Sequence, residues 1–197
     1  MTAKANKLSG IIIAMLIVAF CSATLIGIVR NITSEPIQKA QNKMIADSIK
    51  EVVSSDFDND PYAEKIVIRQ GKESFTLYPA RQDGHVTSLV MKSFSNKGYG
   101  GRIDVLVNFL PDGTIGGYKV IQHKETPGLG SKVNDESFKK GIIGKKPSTQ
   151  AFKVKQDGGE VDAITGATIT SRALIDAVQK AYDGYQKFNA GISHEEQ

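Results

Sequence analysis

Asn108-Phe109-Leu110-Pro111-Asp112-Gly113-Thr114-Ile115 lies between two β-branched runs, Ile103 to Phe109 and Ile115 to His123, and its reading decides the fold class. Pro-Asp-Gly suits a tight reversal, so the two runs read as the arms of a hairpin. Phe75 to Tyr78 and Val86 to Phe94 are further short strand-like runs divided by glycine-containing turns, and Ile66 to Ile68 is another. Lys and Asp interruptions within these runs predict antiparallel strands with one solvated face. Beyond the hairpin, Asn134-Asp135-Glu136 predicts the cap and first turn of a short helix. Leu174, Ala177, Val178, Ala181, Tyr182 and Tyr185 recur at three- and four-residue spacing, predicting a longer helix that begins near Thr170 or Ser171. The expected class is α+β, a mainly antiparallel sheet flanked by helices.

The N-terminal end has a different character. Leu8 to Val29 contains no charged residue, and its twelve Leu, Ile, Val and Phe side chains favour membrane insertion by about 5 kcal/mol before polar costs. Twenty-two residues are enough to span a bilayer. Cys21-Ser22-Ala23 resembles a signal-peptidase site, but the apolar run continues from Thr24 through Val29, so the segment reads as an uncleaved anchor. Phe20 is too bulky to precede a lipid-modified Cys21. Lys4 and Lys7 before the span and Arg30 after it favour a cytoplasmic N-terminus and an exported C-terminal domain. Ser34-Glu35-Pro36 predicts a new helix start, followed by Ile37, Ala40, Met44, Ile45, Ile49 and Val52 on one apolar face. The expected organisation is residues 1–7 cytoplasmic, 8–29 transmembrane, 30–55 a juxtamembrane helix lying on the domain, 56–190 the exported domain and 191–197 a flexible tail.

Composition excludes several classes of function. Of 197 residues, those outside the anchor leave room for one domain of ordinary size. The net charge of +4 comes from Lys and Arg mixed with Asp and Glu throughout, which reads as a solvated surface and not as a nucleic-acid-binding patch. One cysteine excludes an intramolecular disulfide framework. His85, His123 and His194 fall in a turn, at a strand end and in the tail, so no metal site and no acid–base pair is expected.

Asp162-Ala163-Ile164-Thr165-Gly166-Ala167-Thr168-Ile169-Thr170 precedes the long helix and concentrates three hydroxyls, two very small residues and a carboxylate. It reads either as a turn with an N-cap or as an anion site, because the first turn of a helix offers unpartnered N–H groups and a positive dipole end. Gly98-Tyr99-Gly100-Gly101 lacks the strand, spacing and following helix of the dinucleotide fingerprint, which excludes a Rossmann reading. It is either a tight connection or backbone set against a flat ligand with the Tyr99 ring beside it. Glu125-Thr126-Pro127-Gly128-Leu129-Gly130 is stiff at Pro127 and permissive at Gly128 and Gly130. It is either a connector or a loop that holds Leu129 outward over an apolar ring.

Asp162-x-x-Thr165-Gly166-Ala167-Thr168 resembles the Asp-x-x-(Ser/Thr)-Gly-Ala-Thr signature of proteins with covalently bound FMN, in which the flavin phosphate is esterified to the last threonine, here Thr168. Gly98-Tyr99-Gly100-Gly101, His123 through Gly130, Asp157-Gly158-Gly159 and this signature follow one another as in the family of the G subunit of the Rnf electron-transport complex, related to the C subunit of the sodium-translocating NADH:quinone oxidoreductase. The likeness covers the anchor and nearly the whole domain and is strongest from Gly98 to Ala181; residues 56–83 share no motif with it. The resemblance implies an electron-carrying component of a membrane-bound, ion-translocating oxidoreductase of the ferredoxin/NAD type, with no catalytic side chain beyond the flavin. It implies FMN on Thr168, with Glu125, Thr126 and Leu129 beside the ring and Thr165 and Ala167 at the phosphate end. Asp162, Gly166, Thr170, Gly130 and Tyr99 complete the cofactor-binding set. Partner membrane subunits, a separate flavin transferase and a location in the inner membrane with a periplasmic domain are also implied. The alternative is a membrane-anchored flavin-binding sensor or binding module without redox turnover.

Overall fold

The computed structural model of the chain describes residues 2–70, 73–149 and 151–195, with side chains over 10–68, 75–149 and 151–190. The chain divides into two units, 1–43 and 44–197. Helix α1 is assigned over Thr2–Val52. Within the first unit its apolar residues, Ile11 to Val29 among them, are exposed, and among the described residues it is the one helix long and apolar enough to cross a membrane. The predicted restart at Ser34 is not observed, because Pro36 lies inside the helix. Ser34 Oγ donates to Asn31 O at 3.0 Å and Thr33 Oγ1 donates to Val29 O at 2.8 Å. Both hydroxyls thus return to preceding carbonyls, as mid-helix Ser and Thr do, and neither caps a new N-terminus.

In the second unit the strand-like runs form β1 (Ile66–Gln70), β2 (Glu73–Gln82), β3 (His85–Gly98), β4 (Gly101–Phe109) and β5 (Ile115–Gln122). They pair in sequence order as an antiparallel meander. Leu110 to Gly113 makes the predicted turn, with Gly113 N donating to Leu110 O at 2.8 Å. After β5 come a 3-10 turn at Gly130–Asn134, the short helix α2 (Glu136–Lys139) and finally α3 (Thr168–Glu195). Helix α3 therefore reaches into the stretch expected as a tail; Glu196 and Gln197 lie outside the described residues.

The prediction of one solvated face fails at the centre of the sheet. β4 is buried from Ile103 to Phe109, on both sides. One side receives α3, whose Ala173, Leu174, Ala177, Val178, Ala181, Tyr182 and Tyr185 pack with Leu77, Leu89, Met91, Val105, Val107 and Phe109. That helical face is the predicted one. Gly184 lets α3 sit close: a Cβ there would come 2.7 Å from the Phe75 ring and 2.8 Å from Met91 Cε. The other side is covered by Ile45, Ile49, Val52 and Val53 against Tyr78, Ala80, Val90 and Leu106. Of the apolar face predicted for 37–52, Ile45, Ile49 and Val52 are buried in this way, whereas Met44 is exposed. Asn108 Nδ2 donates to Val52 O at 3.2 Å, and Lys119 pairs with Glu51.

The outer edge of β5 is closed by local partners. Ile115 N donates to Lys145 O at 3.0 Å and Gly144 N to Ile115 O at 2.8 Å. Asn134 clamps Val120 from both sides, accepting from its N–H at 2.9 Å and donating to its carbonyl at 3.1 Å. Asn134 is thereby committed to the sheet, and Asp135 is the N-cap residue of α2, without a side-chain cap bond.

Candidate functional site

Three segments converge at one end of the sheet. The meander puts the β3–β4 turn, where Gly98 pairs with Gly101, next to the end of β5, where Gln122 pairs with Asp104. The chain leaving β5 then crosses to the N-terminal turn of α3. These are the three stretches singled out in the sequence.

The loop after β5 closes on itself. Leu129 N and Ser131 N both donate to Thr126 O, at 3.2 and 3.3 Å, and Gly128 N donates to Ser131 Oγ at 2.9 Å. Tyr118 OH donates to Val133 O at 2.7 Å and moors the following 3-10 turn to β5; burial pushes this phenol well above its ordinary range. His123 Nδ1 accepts from Glu125 N at 3.2 Å. Leu129, 44 % exposed, stands outward on this frame as expected.

Glu125 joins the three segments. Its side chain is buried; Oε1 accepts from Gly100 N at 3.0 Å in the β3–β4 turn, and Oε2 accepts from Thr170 Oγ1 at 2.6 Å in α3. The glycines around it are places of close approach. A Cβ on Gly100 would lie 1.9 Å from Lys124 O, and one on Gly130 would lie 2.7 Å from Glu125 Cβ and 2.9 Å from Thr170 Oγ1. The permissive backbone expected at both Gly128 and Gly130 is needed at Gly128 alone, with φ +75°; Gly130 supplies space instead.

The start of α3 differs from the expected one by two residues. Thr168 is its first residue, and neither Thr170 nor Ser171 caps it. Gly166 takes φ +76°, a conformation suited to glycine, and Ala167 N donates to Ile164 O at 2.9 Å. Ser171 Oγ accepts from Ile164 N and donates to Ala167 O, both at 3.0 Å, so its hydroxyl holds the turn from inside the helix. Among the described residues no acceptor faces the amides of Thr168, Ile169 or Thr170. A helix start with free amides is suited to an anion.

The three segments enclose a cavity of about 500 Å³ lined by Tyr99, Glu125, Thr126, Leu129, Gly130, Gly166, Ala167, Thr168, Ile169 and Thr170. That volume is within the range of small-molecule and cofactor sites. Nine of the eleven residues expected at the site are thereby gathered together. Thr165 is exposed and outside the cavity, and Asp162 is exposed and paired with Lys155 at 2.7 Å. Ile169 was not foreseen. Its neighbouring hydroxyls drew the reading of that stretch, and an apolar residue there becomes meaningful only once the helix is known to begin at Thr168. Arg172 grips Asp157 with two bonds of 2.8 and 2.7 Å, so that the Asp157-Gly158-Gly159 turn is fastened to α3. The guanidinium holds the Asp157 carboxyl below its ordinary range.

The cavity suits a ligand with a flat apolar part and an anionic end. Tyr99, Leu129 and Ile169 are exposed hydrophobic side chains at its wall, 74, 44 and 48 % accessible, and the first-turn amides of α3 supply donors. Flavin mononucleotide has both features, and the residues present fit it. Among the described residues no group of three or more His, Cys, Asp or Glu side chains is arranged to hold a metal.

A family match covers the same part of the chain, and curated relatives match nearly all of it. Residues 98–183 match the family described as FMN-binding domain, a span that contains every residue lining the cavity. The G subunit of the ion-translocating oxidoreductase complex of Vibrio cholerae is 31 % identical over 189 residues, covering 91 % of this chain and 90 % of that one. The corresponding G subunit of Cereibacter sphaeroides is 30 % identical over 191 residues, covering 93 % and 86 %. The crystal structure of Shewanella oneidensis NqrC aligns with a TM-score of 0.46 at 30 % identity over 55 % of each chain.

Proposed function

This chain belongs to the G-subunit family of ion-translocating oxidoreductase complexes, and from that premise we propose that it is the electron-carrying flavin component of such a complex, with FMN held by a phosphoester to Thr168. When bound, FMN supplies one-electron transfer, and the protein supplies position and surroundings. Thr168 Oγ1 carries the phosphate, and the amides of the first turn of α3 donate to the phosphate oxygens. Leu129, Tyr99 and Ile169 shield the ring from water, and Glu125 keeps the three segments together around it. No acid–base residue is required.

The observation that carries this reading is the different state of three threonines. Thr170 is 1 % exposed and its hydroxyl is spent on Glu125 at 2.6 Å. Thr165 lies outside the cavity. Thr168 is half-buried in the cavity wall, with no side-chain hydrogen bond among the described residues. In the wider proposal α1 anchors the chain in the inner membrane, the domain is exported, other membrane subunits exchange electrons with it, and a separate flavin transferase loads it.

The test is in-gel flavin fluorescence with peptide mapping of protein made beside its transferase. Thr168→Ala is expected to fold and to carry no covalent flavin, while Thr168→Ser keeps part of the labelling because the oxygen remains. Covalent flavin on Thr168→Ala protein overturns the assignment.

A further inference from the structure

We infer that Glu125 sets the reduction potential of the flavin site by holding a fixed negative charge in the cavity wall; the inference rests on the flavin reading above. The observations are geometric. Glu125 lines the cavity yet is 5 % exposed. Oε1 accepts from Gly100 N–H at 3.0 Å and Oε2 accepts from the Thr170 hydroxyl at 2.6 Å. Two glycines crowd the side chain. Gly98 and Gly130 bring backbone so near that a Cβ on either would lie 2.5 or 2.8 Å from one of its oxygens. Among the described residues no cation is paired with it; Lys97, Arg102 and Arg172 pair with Asp176, Asp104 and Asp157.

An unpaired carboxylate fixed in a wall of low polarity repels added negative charge more than one in water does. One electron passed to the ring puts one negative charge into the cavity, the donor losing that electron, and the carboxylate opposes this until a proton follows. The flavin is thereby made harder to reduce, so that an electron it has received is passed on readily. Two neutral hydrogen-bond donors hold the charge without cancelling it.

The test variant is Glu125→Gln, because the amide can keep both hydrogen bonds. Its oxygen accepts from Gly100 N–H, and its NH2 donates to the Thr170 hydroxyl, which turns from donor to acceptor. Charge is removed and geometry is kept. At an effective dielectric of ~20, a unit charge anywhere within ~12 Å shifts an equilibrium by at least about tenfold. The expected result is therefore an increase of at least about tenfold in the reduced-to-oxidised ratio at a given potential, or at least about 59 mV for a one-electron step.

The measurement is a spectroscopic redox titration of the full-length, detergent-solubilised protein, with thermal melting of the flavin-free form alongside. Thr170→Val, which removes the hydroxyl and leaves the carboxylate, is expected to lower the melting temperature without raising the potential. A Glu125→Gln protein with the wild-type potential overturns the inference, as does one that folds but carries no flavin, since a residue acting through charge alone is not needed for attachment. Wild-type protein without covalent flavin, by contrast, strikes the underlying reading and not the role of the carboxylate.

Discussion

Gly130→Ala tests the convergence of the three segments by adding a single carbon. The new Cβ would lie 2.7 Å from Glu125 Cβ, 2.8 Å from Glu125 Oε2 and 2.9 Å from Thr170 Oγ1. Packed carbons keep about 3.5–4.0 Å, so the Glu125 side chain or the loop has to move. Either movement strains the bonds to Thr170 and Gly100. Overpacking costs about 1–3 kcal/mol, and leaving one of these buried partners unsatisfied adds about 1–3 kcal/mol. In a domain of this size each kcal/mol is about 2–4 °C, so the melting temperature is expected to fall by about 10 °C. Circular dichroism melts of the solubilised protein measure it. Gly128→Ala is the control. Its Cβ would meet open space, but φ +75° is unfavourable for alanine by about 1–2 kcal/mol, which predicts a smaller fall. Gly130→Ala melting with the wild type, or above Gly128→Ala, would refute the reasoning.

Leu129→Ala is expected to retain covalent flavin and to shift its absorbance and potential, with little loss of stability because the side chain is partly exposed; an unchanged spectrum would make Leu129 a connector residue. Asp176 makes a prediction about acid. Burial would raise its carboxyl, but hydrogen bonds from Lys97, Ser95 and Lys180 outweigh this and hold it at about 2. A value depressed in the folded state contributes stability above the unfolded range near ~4 and loses it as pH falls from about 4 to about 2. Asp176→Asn should flatten that part of an acid-unfolding profile, and an unchanged profile would contradict it. For topology, a reporter fused after Gln197 is expected to be active only outside the cytoplasm, and activity inside would reverse the assigned orientation.

The parts of the fold that were legible are those written in local periodicity. Ile103 to Phe109 and Ile115 to His123 announced a hairpin, and Leu174 through Tyr185 announced the buried face of α3, because period and turn chemistry involve only neighbours in the chain. Residues 30–55 were expected to lie on the domain, but the strands themselves did not show that this cover makes the second face of the sheet buried, for a related reason. Lys92, Asp104 and Lys119 marked the strands as half-solvated, but Asp104 is met by Arg102 at 2.6 Å and Lys119 by Glu51, and the cover over Leu106 comes from residues 45–53. Nothing in the strand reports a helix end more than forty residues earlier. The start of α3 was misplaced because Thr168, Thr170 and Ser171 are all competent caps by type. The choice among them is made by Ile164 N on Ser171 Oγ and by Glu125 on Thr170, the latter from 45 residues away. Glu125 itself was read as a wall residue, and its second role as the tie between segments depends on contacts that no spacing reveals.

The burial of Ile45, Ile49, Val52 and Val53 fixes where a soluble fragment of this protein has to begin. Cutting at residue 56, where the turn-rich stretch starts, removes four side chains that are all less than 10 % exposed. At about 1.5–3 kcal/mol each, the loss is ~6–12 kcal/mol, comparable to the ~5–15 kcal/mol that holds a typical domain folded. It would also strip the cover from Tyr78, Val90 and Leu106, turning the middle of the sheet into a sticky surface. A fragment freed of the apolar stretch of α1 but starting at or before Met44 keeps that cover, and Met44 is the latest start from which crystals or flavin spectra of the domain should be sought.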